Sequence, residues 1–202
     1  MKRFSQNMTY AAAALVIFIC GLLVSTGCIG QIKYHSNGPV KLIIEGTSNI
    51  HDWDMKSEKG VVSAEFLFTP TGYIGGLSAL QFTVPAESLK SDNKSMDKNT
   101  YKALNTDKHN TIGFVASDAV IKPNGKTGFI LIARGKLTIS GVTRDVELTA
   151  NGLINSDKSI TYSGIYKLKM TDYKVTPPNI MFGAIKTGDA VTVKFDLVLK
   201  AV

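Results

Sequence analysis

The strongest constraint in the chain is a two-residue rhythm. In "AVTVKFDLVLK", Val191, Val193, Phe195, Leu197 and Leu199 share one parity. Thr192, Lys194, Asp196 and Lys200 take the other, joined by Val198. Side chains of an extended strand alternate between faces, so this spacing gives a ribbon with one apolar and one wet side. The pattern recurs along the chain. "GVVSAEFLF" aligns Val62, Ala64, Phe66 and Phe68; "LSALQFTVP" aligns Leu80, Phe82 and Val84; "TIGFVASDAVI" aligns Ile112, Phe114 and Ala116. "GFILIARGKLTIS" carries it from Phe129 to Ile139, "RDVELTANGLI" from Val146 to Ile154, and "SITYSGIYKLKM" from Ile160 to Met170. With "VKLIIEG" and the stretch around Trp53, eight or nine strands are expected in one domain. Turn signals separate several of them, among them "PNGK", "SGVT" and "NSDKS".

Two segments break the rhythm. From Pro85 to Thr111 the composition turns polar, and "SMDKNTYKALN" predicts a short helix near Ser95–Asn105. "VTPPNIMFGAIKTGD", Val175 to Asp189, carries paired prolines that stop a ladder, and apolar residues on a loop. Such a loop serves as a lid or plugs the end of a core. Many strands in one domain form a sandwich or a closed barrel. Gly135 and Gly164, within the apolar parity, suit sharp bends and favour the barrel. Small inward residues leave room for a guest or make room for facing phenylalanines, and periodicity does not separate these.

The first residues read as an export signal, with Lys2 and Arg3 ahead of the apolar run Ala11–Val24 and the small residues of "STGC". Residues 1–30 are therefore expected to be a signal peptide, or an uncleaved anchor, and 31–202 a barrel domain. Cys28, after Thr26-Gly27, is a candidate for lipidation; an ordinary signal-peptidase cut is the alternative. The expected location is the periplasm, or the envelope surface if Cys28 is acylated, with membrane association through the N-terminus. The only cysteines are Cys20 and Cys28, so a mature domain has no disulfide, cysteine-based zinc site or cysteine nucleophile in its core. The formal charge is +7, but the lysines are scattered without a dense block. That balance does not point to nucleic acid.

"GTSNIHDWDMKSEKG" concentrates His51, Asp52, Trp53 and Asp54. In an extended strand His51, Trp53 and Met55 share one face, and Asp52, Asp54 and Lys56 the other. His51 and Asp52 then point apart, which disfavours an acid/base pair. Two carboxylates alone make a poor site for a hard cation. No HExxH, GxSxG or GxGxxG spacing occurs. No catalytic residue, metal site or cofactor is expected.

"GKLTISGVTRDVELTANG", Gly135 to Gly152, resembles the signature of the YceI-like family of exported lipid- or polyisoprenoid-binding proteins. "FTVPAESLKS", "DKHNTIGFVAS" and "KLKMTDYKVTPPNIMFGAIKTGDAVTVKFDL" are also similar to that family, in a branch that begins "SNIHDW". The likeness runs from about Val40 to Leu199. It implies an all-β, eight-stranded antiparallel lipocalin-like barrel with one short helix in the polar excursion. It also implies an apolar tunnel for an isoprenoid chain. The better-known members' polar stretches read "HDW" and "SDNKSMDKNTY" here, so no polar ligand contact is carried across. The expected function is an exported, non-enzymatic carrier of an isoprenoid-type or other long apolar lipid. The expected lumen residues are Trp53, Phe66, Phe82, Phe114, Leu137, Tyr166, Met181, Phe182 and Phe195. The rival readings are an envelope interaction module with a filled barrel and an enzyme on the same scaffold.

Overall fold

The alternating segments pair into one continuous antiparallel sheet. The structure, a computed structural model, describes residues 30–180 and 183–202. Its strands are β1 (Gly30–Ser36), β2 (Lys41–Ser48), β3 (Trp53–Ser57), β4 (Val61–Phe68), β5 (Ile74–Pro85), β6 (Thr111–Asn124), β7 (Gly128–Ile139), β8 (Val142–Ile154), β9 (Ile160–Lys169), β10 (Asn179–Ile180) and β11 (Ile185–Ala201). The expected signal segment and Cys28 lie outside the described residues.

Eight strands close a ring in the order β1-β4-β5-β6-β7-β8-β9-β11, and β11 returns to β1. Closure leaves the ring no open edge. The β11–β1 seam is short, three residue pairs from Tyr34↔Ala201 to Ser36↔Leu199. Further towards its N-terminus, β11 pairs with β2 instead, from Asp196↔Lys41 to Val191↔Gly46. β3 pairs β2 in turn. The wall therefore forks at β11: β1 continues it at one end of the barrel, the β2–β3 hairpin at the other. β3 then meets the segment after β5 through two backbone bonds between Lys56 and Lys90, of 2.7 and 2.8 Å.

The inward parity is the apolar one. Leu131, Ala133, Leu137, Ile160, Leu197 and Leu199 are all buried, while their polar neighbours face out. On the outside Arg134 bridges Asp118 at 3.2 Å and Glu147 at 2.9 Å, across three adjacent strands. The parity slips once. A register shift between Ala116 and Asp118 turns Ala119 and Ile121 inward, where an unbroken alternation would turn them out.

The glycines of the apolar parity serve packing rather than empty space. A Cβ on Gly164 would overlap the Phe195 ring, and one on Gly135 would overlap the β6 backbone. Of the two readings left open by the sequence, room for facing side chains holds at these positions.

The polar excursion contains the expected helix, α1 (Lys94–Leu104), one residue earlier at each end. Asn93 caps it, its side chain accepting from the backbone N–H groups of Ser95 and Met96 at 2.9 and 3.2 Å. Asn105 ends it in the left-handed conformation (φ 52°). The β7–β8 connection is Ser140-Gly141, both with positive φ (49° and 75°), the geometry of a tight hairpin. Ser140 Oγ donates to the Leu104 carbonyl at 2.7 Å and so pins the end of α1. No described helix is long and apolar enough to cross a membrane.

Candidate functional site

The barrel is closed at one end and hollow above it. The floor is aromatic. Tyr34 and Phe66 meet edge-on with centroids 5.6 Å apart, Phe66 stacks on Tyr162 at 6.2 Å, and Phe129 meets Tyr162 edge-on at 5.6 Å. Such pairs add to their area burial. Tyr34 Oη donates to the Lys158 carbonyl at 3.2 Å, at the base of the barrel. The Tyr162 hydroxyl is buried in this layer and has no hydrogen-bond partner among the described residues. Burial pushes its phenol well above the usual range.

Above the floor lies a cavity of about 500 Å³. That is the scale of a small-molecule pocket rather than a packing defect. Its wall includes Leu131, Ala133, Leu148, Ala150, Val193 and Leu197, contributed by β7, β8 and β11. Seven expected lumen residues lie on it: Trp53, Phe66, Phe82, Phe114, Leu137, Tyr166 and Phe195. Met181 and Phe182 fall outside the described residues. The sequence reading missed Met55, Leu80, Leu168, Met170 and Tyr173 as lining, and the whole inner face of α1. The alternation in β5 and β9 carries Leu80 and Leu168. Nothing short of the fold brings α1 over the opening.

α1 covers the mouth with Met96, Asn99, Thr100, Ala103 and Leu104, spaced on one helical face. Thr100 Oγ1 lies 3.2 Å from the Met55 sulfur. Tyr101 Oη donates to the carbonyls of Glu87 and Leu89 at 3.0 and 2.8 Å, holding the helix to the segment after β5. The Lys90 ammonium sits 4.8 Å from the centroid of the Tyr101 ring.

The opposite rim is built from the β2–β3 turn and the β10–β11 hairpin. Asn49 clamps them: its Nδ2 donates to the Ala184 carbonyl at 2.9 Å, and its Oδ1 accepts from the Lys186 N–H at 2.8 Å. Ile50, Pro178 and Ile185 face the opening. A 3-10 turn at Met170–Tyr173 is tied to β11 by Asp189, which accepts from Thr171 N–H and Oγ1 at 2.9 and 2.7 Å. Those bonds, the hydroxyl first, hold the Asp189 carboxyl below its usual range. Burial, reinforced by the adjacent Tyr166, pushes the Tyr173 phenol up to about 12.

Parity decides the fate of the His51–Asp54 cluster. His51, Trp53 and Met55 line the cavity. Asp54 faces away and pairs with Lys56 at 2.9 Å. His51 Nδ1 meets the backbone carbonyl of Asp52 at 2.7 Å, not its carboxylate. Trp53 lies flat over Gly46 on the neighbouring strand, and its Nε1 donates to the Thr47 carbonyl at 3.0 Å. Of the other histidines, His35 is on β1. Among the described residues, no group of three His, Cys, Asp or Glu is placed to hold a metal ion.

An eight-stranded antiparallel ring with an apolar interior and a helix over one end is a lipocalin-like β-barrel. The YceI-like domain matches residues 44–199, and the chain belongs to that family. Solved structures share the fold. BcnA of Burkholderia cenocepacia superposes with a TM-score of 0.63 at 20% identity, over 79% of this chain and 95% of that one. A polyisoprenoid binding domain of Saccharophagus degradans, implicated in plant cell wall breakdown, gives 0.61 at 13%, over 85% and 99%. The YceI protein of Campylobacter jejuni gives 0.50 at 19%, over 70% and 81%. No curated protein matches the chain.

Proposed function

We propose that the chain is an exported, non-enzymatic carrier that holds an isoprenoid-type or similarly long apolar molecule in the barrel lumen. The observation that carries this is the apolar cavity of about 500 Å³ above the aromatic floor. Membership of the YceI-like family and the likeness to a polyisoprenoid binding domain support it. The mechanism is sequestration. The tail occupies the lumen against Phe66, Phe82, Phe114, Leu137, Tyr166 and Phe195, and the polar end stays near Trp53 at the mouth. Met181 and Phe182, outside the described residues, are also proposed as contacts of the tail.

Burying each CH₂ stabilises by ~0.8 kcal/mol, so a prenyl tail of tens of carbons has a gross drive far larger than any observed affinity. Ordering and association costs offset most of it. Binding is then tight but tolerant of tail detail. Export through the N-terminal segment, with Cys28 as acylation site, places such a carrier beside a membrane that supplies the cargo.

The rival interaction module requires a filled barrel, and the cavity disfavours it. The test is the cargo. Purified protein is expected to release a long-chain lipid on solvent extraction and to show its mass by native mass spectrometry. Leu148→Trp, which fills the half-buried wall, is expected to lose the cargo while remaining folded. Empty preparations of the unaltered chain, in the presence of added prenyl lipid, overturn the carrier reading.

A further inference from the structure

We infer that the barrel sits base-down on a membrane, with its closed end against the lipid and its mouth facing away. This rests on the export and anchoring part of the proposed function, and not on the cargo. The register fixes where the chain enters the fold. Gly30, the first residue of β1, pairs with Phe68 at the end of β4, and β1 meets β11 only from Tyr34 onward, opposite Ala201. Gly30 therefore lies at the base, beyond the Tyr34–Phe66 floor, while α1 and the β2–β3 turn hold the other end. Strand β7 runs from base to rim in 12 residues. At a rise of ~3.3 Å per residue and a tilt of about 40°, that separates the two ends by about 30 Å.

An anchor upstream of Gly30 is too short to turn the barrel over. Cys28 precedes Gly30 by two residues, a reach of at most about 7 Å in extended chain. Val24, the last residue of the apolar run, precedes it by six, a reach of about 20 Å. For the mouth to meet the same lipid surface the base would have to rise by the height of the barrel, and neither tether spans that.

The base also carries the side chains for that contact. Its turns, residues 69–73, 125–127 and 155–159, lie at the end where the chain enters. The Ile154 N–H donates to the Thr127 carbonyl at 2.9 Å, and Tyr34 Oη to the Lys158 carbonyl at 3.2 Å. Tyr73, on the first turn, is 59% exposed, and Leu153, beside the third, is 47% exposed. Lys122, Lys126 and Lys158 at the same end are exposed and make no ion pair among the described residues. Asp157 is the one acidic side chain on the three turns, and Lys200 faces it at 3.9 Å. Tyrosine and long-stemmed lysines suit the headgroup layer of a bilayer, the ammonium groups meeting anionic phosphates. The rim differs: Lys94, Lys98 and Lys186 stand among the exposed Asp52, Asp92, Asp107 and Asp172. Lipid exchange through the mouth is then with the surface it faces, not with the bilayer under the base.

The full chain is bound to vesicles of phosphatidylcholine and phosphatidylglycerol, and its lysines are acetylated. Peptide mass spectrometry reads the labelling, with the detergent-solubilised chain as reference. Lys122, Lys126 and Lys158 are expected to lose most of their reactivity on the vesicles, while Lys94, Lys98 and Lys186 keep theirs. Tyr73→Trp gives a second readout. Its added emission is expected to shift to the blue on the same vesicles, whereas the emission of Trp53, the one tryptophan of the unaltered chain, is unmoved. Protection of the rim lysines, equal protection at both ends, or protection at neither overturns the inference. Cargo extracted from the same samples tests the carrier reading separately: a base-down chain without lipid sinks that reading and keeps this one.

Discussion

Trp53 and Gly46 form a unit whose logic is steric. They are paired residues on β3 and β2, and a Cβ on Gly46 would overlap the indole. Gly46→Ala is expected to destabilise by about 1–3 kcal/mol, the range for forcing extra volume into a packed site. It should also shift Trp53 emission in the folded state; an unshifted spectrum with unchanged denaturation midpoint would refute the contact. Tyr162 is the opposite case. Its buried hydroxyl has no partner among the described residues. An unpaired buried polar group costs about 1–3 kcal/mol, so Tyr162→Phe is expected to raise stability by about 1 kcal/mol in urea unfolding. Both Tyr162 and Tyr173 hold their protons more tightly folded than unfolded. Stability is therefore full below the unfolded phenol value of about 10 and falls as pH rises through the folded one. Midpoints measured from pH 9 to 12 should decline, and decline less in Tyr173→Phe.

At the scale of elements, α1 is the piece most separable from the barrel. It is held by its Asn93 cap, by Tyr101 and by Ser140 rather than by strand pairing. Asn93→Ala removes the cap at a cost of about 1 kcal/mol. Its expected signature is faster release of lipid from a loaded sample, with a smaller change in overall unfolding; unchanged release would show that the helix does not control the opening. The strands with the cleanest alternation were legible from sequence because each presents one face to the core. β1 was not. Only Tyr34 in it is buried, and Ile32, on the same parity, is exposed. The slip at Ser117 was also hidden, since a bulge reverses parity without changing composition. The helix was legible from its formers, but not its position over the mouth, which depends on the Ser140-Gly141 turn, 36 residues from Leu104 along the chain and one hydrogen bond from it in space.

For the whole molecule, strand number left a sandwich and a barrel both open, and family likeness implied the closed ring and an apolar tunnel, but not which residues bound the hollow. Gly135 and Gly164, left open in the sequence as guest space or as room for facing side chains, are filled by neighbours; the cavity lies against Ala133, Ala150 and half-buried Leu148, and depends on how all eight strands pack at once. The forked wall has a mechanical consequence. β11 is grasped by β1 near the base and by β2 near the rim, over separate stretches of the same ribbon. Widening the rim then strains one set of ladder bonds and spares the other. Such a seam is expected to let the vessel gape for a bulky guest while its bottom stays shut.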